Sequence, residues 1–302
     1  MSRTYVGVDV QPEGLYLAAL QRGRPHDRLV GLRFESLEGV IEVSRRQPNV
    51  RDARRFVEGL RRGVDALAGQ EERIALSLPD RAGRLYLTEI DTPFKNHAEG
   101  IDILKWRLKA NLPAAPAQTQ LDYQVLTKRD DGRQRCIVVA MARPVLEQYE
   151  DLINEAGRYA IQIDFHSLNL YNYYRPRLDP GDEFILVSLE HDLLGLQYVL
   201  GQTLCYQRTR ACKLSTDTAF REITRTLVDA QTAFPGVKRC PVYAHLDPDQ
   251  TGDFQALLTA VFERQVKILD PDLKRFSGEG QTGGLQPIGT VVAALGAAER
   301  SM

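Results

Sequence analysis

The sequence predicts an α/β fold: two lobes of mixed sheet with helices on their faces, and a small α+β module inserted in the first. Three observations lead there. A segment recurs after about 180 residues: Tyr5–Gly23 is an apolar run, a polar turn, a second apolar run and a glycine, and Phe184–Gly201 repeats that order. Each copy is followed by helix, strand, helix and strand. Only the first half carries extra chain, between Pro79 and Pro144.

In order, the first half supplies its hairpin, a third strand and a helix from Asp52 to about Leu67. Phe56, Leu60, Val64 and Leu67 share one face of that helix. The strand Arg73–Pro79, the helix Pro144–Gly157 and the strand Ala160–Asp164 complete the lobe. The second half matches with helix Thr216–Ala233, strand Cys240–His245, helix Asp253–Arg264 and strand Val266–Leu269. A glycine-rich loop, Ser277–Gly284, precedes a closing helix, Ile288–Ala298. The insertion holds the strand Arg84–Asp91, a helix from about Ala98 to Leu112, and a hairpin. That hairpin joins Leu121–Thr127 to Gln134–Ala142 through Asp130–Gly132. The chain crosses between lobes around Asn169–Pro176, where Asn169, Tyr171, Tyr173 and Tyr174 either line a cleft or pack a crossover helix. The domains expected are 1–79 with 144–177 for the first lobe, 80–143 for the module, and 178–302 for a reduced second lobe. This order is similar to that of the ribonuclease H-like lobes of the actin and Hsp70 superfamily.

At 302 residues the chain can bury two cores. A net charge of −1 creates no global field toward nucleic acid or acidic lipid. There is no basic-then-apolar leader pattern, and no apolar run approaches the roughly 20 residues of a membrane span. A cytoplasmic protein that meets membrane only through partners is expected. Cys136, Cys205, Cys212 and Cys240 form no C-x-x-C pair and read as buried thiols in a reducing compartment.

Several stretches carry a family resemblance. Ile103–Pro113 is a helix with Lys105 and Trp106 that ends in proline, and Asp122–Val125 reads Asp-Tyr-Gln-Val. Val138–Arg143, Tyr149–Gly157 and Ile161–Asp164 run strand, helix, Ala-Gly turn, Ile-Asp strand, and Ile288–Gly296 ends Ala-Leu-Gly. In this order they resemble the type IV pilus assembly protein PilM family, relatives of the cell-division protein FtsA, the pilus protein MshI and the cytoplasmic part of the secretion protein GspL. The resemblance implies an actin-like scaffold beneath the inner membrane. It would capture the cytoplasmic N-terminal tail of a bitopic, PilN-like partner; self-association, which actin relatives show, stays open. The tail is expected between the module and the first lobe, against Leu85, Leu87, Ile90, Ile101, Leu104, Trp106 and Leu108. Trp106, the only tryptophan, either anchors a partner peptide or fills the module's core.

The turns depart from the family. ATP-binding members carry Asp-x-Gly-Ser in the first turn; here it is Asp9-Val10-Gln11-Pro12. The second turn has Ser188-Leu189-Glu190-His191 where Asp-x-Gly is expected, and the adenosine-side glycine pair is replaced by His245-Leu246-Asp247-Pro248. Pro12 removes an N–H donor, and Glu190 brings like charge toward phosphates. Asp9 and Gln11 therefore mark a vestigial nucleotide site, no cofactor is expected, and the alternative is an ATP-binding, nucleotide-gated switch.

Other clusters read as structural. The arginines of Arg45–Arg62 interleave with Glu58 opposite an apolar helix face, as a solvated surface does. His245 with Asp247 and Asp249 reads better as a proline turn than as a metal site. No Walker loop, Gly-x-Ser-x-Gly or His-Glu-x-x-His is present.

Overall fold

The first repeat folds as β1 (Thr4–Gln11) and β2 (Gly14–Gln21), antiparallel with Gln11 opposite Gly14, so the loop is only Pro12 and Glu13. β3 (Arg28–Ser36) extends this side of the sheet. After α1 (Ala53–Ala68), β4 (Arg73–Leu78) pairs parallel with β1. After α3 (Arg143–Glu155), β8 (Tyr159–Phe165) pairs parallel with β4, giving the order β3-β2-β1-β4-β8. The computed structural model describes residues 3–91, 93–178, 181, 183–190, 192–212, 215–246, 251–277 and 288–302. It divides into Met1–Tyr173 with Leu273–Gln286 and Val291–Met302, and Tyr174–Asp272 with Pro287–Thr290.

Strand alternation decides what each face of the first sheet meets. Val6, Val8, Val10, Leu15, Leu17, Ile74 and Leu76 point to the face covered by Phe56, Leu60 and Val64 of α1 and Val145, Tyr149 and Ile153 of α3. Gly7, Asp9, Gln11 and Ser77 point to the other face. That face receives α4 (His166–Tyr174) and the last helix, α7 (Val292–Arg300). The sequence reading placed the closing helix with a second lobe spanning 178–302. Instead, α7 packs on β1, β2 and β4 of the first body. Small residues make that seat: a Cβ on Gly7 would stand 2.0 Å from the Ala294 carbonyl oxygen, and one on Gly296 would stand 2.1 Å from the Asn169 carbonyl oxygen. Only glycine lets these backbones close. Asn169, Tyr171, Tyr173 and Tyr174 are all buried, as packing residues.

The module is a three-stranded antiparallel sheet, order β5-β7-β6, of β5 (Arg84–Ile90), β6 (Thr119–Lys128) and β7 (Gln134–Ala142). Its hairpin turns where expected, with Gly132 at φ +86. α2 (His97–Leu108) is capped by Asn96, whose Oδ1 accepts from Glu99 N while Glu99 Oε2 accepts from Lys95 N. It ends before the expected Leu112, because Asn111 N bonds back to Leu108 O ahead of Pro113.

The second body repeats the first sheet's topology as β11-β10-β9-β12-β13. Its strands are β9 (Glu183–Glu190), β10 (Leu193–Leu200), β11 (Thr203–Ala211), β12 (Val242–Leu246) and β13 (Val266–Ile268). α5 (Thr216–Ala233) and α6 (Thr251–Phe262) bury Ile223, Ala230, Phe254 and Leu258 on Ile185, Val187, Leu196 and Ala244. β11 ends at Ala211 and Ser215 already caps α5, so no helical subdomain separates them.

Candidate functional site

β1, β4 and β8 run parallel, so their C-terminal ends converge, and this is where an α/β sheet gathers polar side chains. Asp9 lies opposite Ser77, and the chain leaving β8 opens α4 with His166. Ser77 Oγ donates to Asp9 Oδ1 at 2.5 Å, and Gln11 Nε2 donates to Asp9 Oδ2 at 2.9 Å. His166 Nδ1 stands 3.1 and 3.0 Å from the two carboxylate oxygens, donating when it carries the proton; the Gln11 amide lies 2.9 Å from the same nitrogen. Asp9 is wholly buried, and both of its oxygens are taken by protein donors. A carboxylate held this way is a structural acceptor, since turning it toward a hydrated cation would strand three buried donors. Beside it, Asp80 accepts from Ser167 Oγ at 2.5 Å and from Ser167 N at 3.3 Å. Burial raises the Asp80 carboxyl above its ordinary value, and neighbouring His166 pulls it back in part.

The second body has a counterpart. Ser188 of β9 lies opposite His245 of β12, the register that Asp9 and Ser77 share in the first body. Glu190, at the strand end as Gln11 is, lies buried with Oε2 3.2 Å from His245 Nε2, and Tyr174 Oη is 2.9 Å from His245 Nδ1. Opposite Ser188 on the other side is Gly195, whose added Cβ would stand 2.4 Å from Ser188 Oγ. Asp247 and Asp249, with His191, lie outside the described residues. Among the described residues no acidic, histidine and cysteine group has the makings of a metal site. Among the described residues, the strand-end carboxylates of the two turns, Asp9 and Glu190, are both already engaged by protein groups.

An open feature lies elsewhere in the first body. β6 is an edge of the module sheet and β8 an edge of the lobe sheet. A groove of ≈ 270 Å³ is lined by Val139 and Met141 of β7, Leu146 of α3, and Ile161, Ile163 and Phe165 of β8. Ile161 remains 43% exposed, with an unpaired strand edge beside it. Asp122, Glu150 and Asp164 add carboxylates. Burial raises the Asp164 carboxyl above its ordinary value, partly countered by Arg300 at 3.2 Å.

The residues expected to meet a partner divide by strand parity. Leu85 and Leu87 lie opposite Val139 and Ile137, on the face of the module sheet that carries the groove. Ile90, Leu104 and Leu108 are buried in the module's core with Cys136 and Val138, and Ile101 packs half-buried against them, so this part of the expectation is corrected. α2 covers the face opposite the groove, and Trp106 projects from it, 75% exposed. Of the arginines, Arg51, Arg54 and Arg62 pair with Glu42, Glu58 and Glu35, while Arg45 and Arg61 donate to the carbonyls of Gly83 and Glu155. Sequence reasoning singled out Asp9 and Gln11 and expected a groove between the module and the first lobe, but it named none of the residues that line this one, set His245 aside as part of a turn, and missed His166 and Ser167. The signal for His166 was its place one residue past the third parallel strand.

No family model matches the chain, and no curated protein matches it by sequence. Solved structures do. A chain of the PilM–PilN type IV pilus biogenesis complex superposes with a TM-score of 0.75 at 18% identity, covering 98% of each chain. A Bacteroides thetaiotaomicron protein of actin-like ATPase fold and unknown function gives 0.55 at 11% identity, covering 89% of this chain and 92% of that one. The fold is actin-like. The cytoplasmic domain of EpsL, an inner-membrane component of the Vibrio cholerae type II secretion system, also shares this actin-like fold, with 0.52 at 11% identity over 98% and 94%. The resemblance read from scattered motifs thus extends to the whole fold.

Proposed function

We propose that this actin-like chain is a non-catalytic scaffold of a pilus or related secretion apparatus. Its groove between β6, β7 and β8 takes the cytoplasmic N-terminal tail of a bitopic, PilN-like inner-membrane protein. The observation that carries this reading is the groove itself, a trough of mixed apolar and acidic lining bordered by two sheet edges. Such an edge supplies main-chain bonds to an extended peptide, and the trough takes alternate side chains. Asp122, Glu150 and Asp164 suit a basic tail, the composition that cytoplasmic segments next to a span favour. Likeness to a pilus complex and to a secretion component supports the setting. The filled turns support a scaffold over a nucleotide-gated switch.

The test is a fluorescence-polarisation titration with a labelled synthetic tail of the PilN-like protein from the same genome. Ile161→Lys, which removes an apolar contact and sets a cation against a basic tail at a half-exposed position that tolerates charge, should weaken binding at least about tenfold. Trp106→Ala, on the opposite side of the module sheet, should leave it unchanged. Equal affinity of wild type and Ile161→Lys would overturn the assignment of the groove.

A further inference from the structure

α2 displays an apolar pair that the fold does not use. Trp106 is 75% exposed, and Ile103, one turn earlier, is 38% exposed. Keeping an indole in water forgoes the burial that the other large side chains of the module obtain. Lys105, Arg107 and Lys109 surround it, and none joins an ion pair among the described residues. From Ile103 to Leu121 the sequence has neither Asp nor Glu. The acids of α2 are Glu99, near its start and engaged with Lys95, and Asp102, one turn before Trp106. The arginines of α1 show the contrast, since most of them are bound to partners within the body. Cations near a helix C-terminus also interact favourably with its dipole, but that leaves the exposed tryptophan unexplained.

We propose that the C-terminal half of α2 is a membrane-contact face. Trp106 and Ile103 enter the headgroup layer of an anionic phospholipid bilayer, while Lys105, Arg107 and Lys109 meet its phosphates. The choice of occupant rests on charge and shape. An acid-free stretch bearing three cations matches a negatively charged surface, and an indole on the convex side of a helix suits an interface that yields to it. This contact is independent of tail capture and goes beyond it: the chain would touch lipid directly, where the sequence had suggested membrane contact only through partners.

The single tryptophan makes the test direct, because all indole emission comes from this site. The full chain, with no tail peptide present, is titrated with vesicles of phosphatidylglycerol and phosphatidylcholine, and with phosphatidylcholine alone. The expected result is a blue shift with anionic vesicles only, reversed by salt. In vesicle co-sedimentation, replacing Lys105, Arg107 and Lys109 by Gln should weaken partitioning about fivefold per cation, and Trp106→Ala should weaken it as well. All four positions are on the surface or near it, and unchanged circular dichroism would confirm the variants as folded. Emission that ignores anionic vesicles, or that shifts equally with neutral ones, overturns the proposal. So does a blue shift produced without lipid by raising protein concentration, which would assign the patch to a second copy of the chain.

Discussion

At the scale of the residue, Asp9 separates a scaffold from a nucleotide switch. A phosphate-turn aspartate kept for function is normally a stability liability, and its removal tends to be neutral or stabilising. Here Asp9 accepts from Ser77 and Gln11 and lies within bonding distance of His166, all buried. Asp9→Ala would strand those donors, and we expect a loss of about 3 kcal/mol in urea unfolding with unchanged slope. ATP with Mg²⁺ should leave the melting temperature of the wild-type protein where it is, since a site at about 100 times its Kd would add roughly 2.7 kcal/mol. A neutral Asp9→Ala together with a clear thermal shift would restore the nucleotide reading. Asp9 was legible because the repeat aligned it with Ser188. His166 was not, because its bond to Asp9 spans 157 residues of sequence and only strand order brings the two together.

At the scale of the element, glycine decides where the last helix goes. α7 buries every residue from Val292 to Ala298, and its backbone reaches Gly7 of β1 without room for a methyl group. Gly7→Ala sets a Cβ against the Ala294 carbonyl oxygen and the Ala298 amide at once, and neither can step aside as a side chain could. We expect a loss of about 3 kcal/mol, read as a lower denaturant midpoint, with weakened amide protection confined at first to α7. Full protection in the variant would mean that the helix is not seated as described. The sequence showed the helix but not its address, because an Ala-rich helix suits any small-residue surface and Gly7 reads like an ordinary strand glycine. The module has the same lesson. Its strands and turn were legible, yet Leu85 and Ile90 differ in parity, so one faces the groove side and the other the core beneath α2. Trp106 and Leu104 also lie on different sides of one helix, which periodicity alone did not convert into a surface and a core.

At the scale of the whole molecule, chain order and body do not coincide. The repeated halves are legible as two sheets of the same strand order, yet the first body is completed by residues from the end of the chain. The boundary expected between residues 177 and 178 therefore cuts the sequence without cutting out a foldable unit. A fragment of residues 1–177 keeps β1–β8 and α1–α4 but loses α7, and with it the cover over Gly7 and its neighbours on β2 and β4. Val292, Leu295 and the buried alanines contribute on the order of 6 kcal/mol of apolar burial. A domain is stable by only about 5–15 kcal/mol, so that loss is comparable with the whole. We expect the fragment to be insoluble or partly folded, with near-ultraviolet dichroism absent, and to recover when residues 288–302 are supplied in trans or fused after 177 through a flexible linker. Cooperative melting of the fragment at the temperature of the full chain would contradict this, and would make α7 an accessory. If complementation succeeds, the groove and the α2 surface can each be studied on a body of known completeness, because both are built from residues before Tyr173.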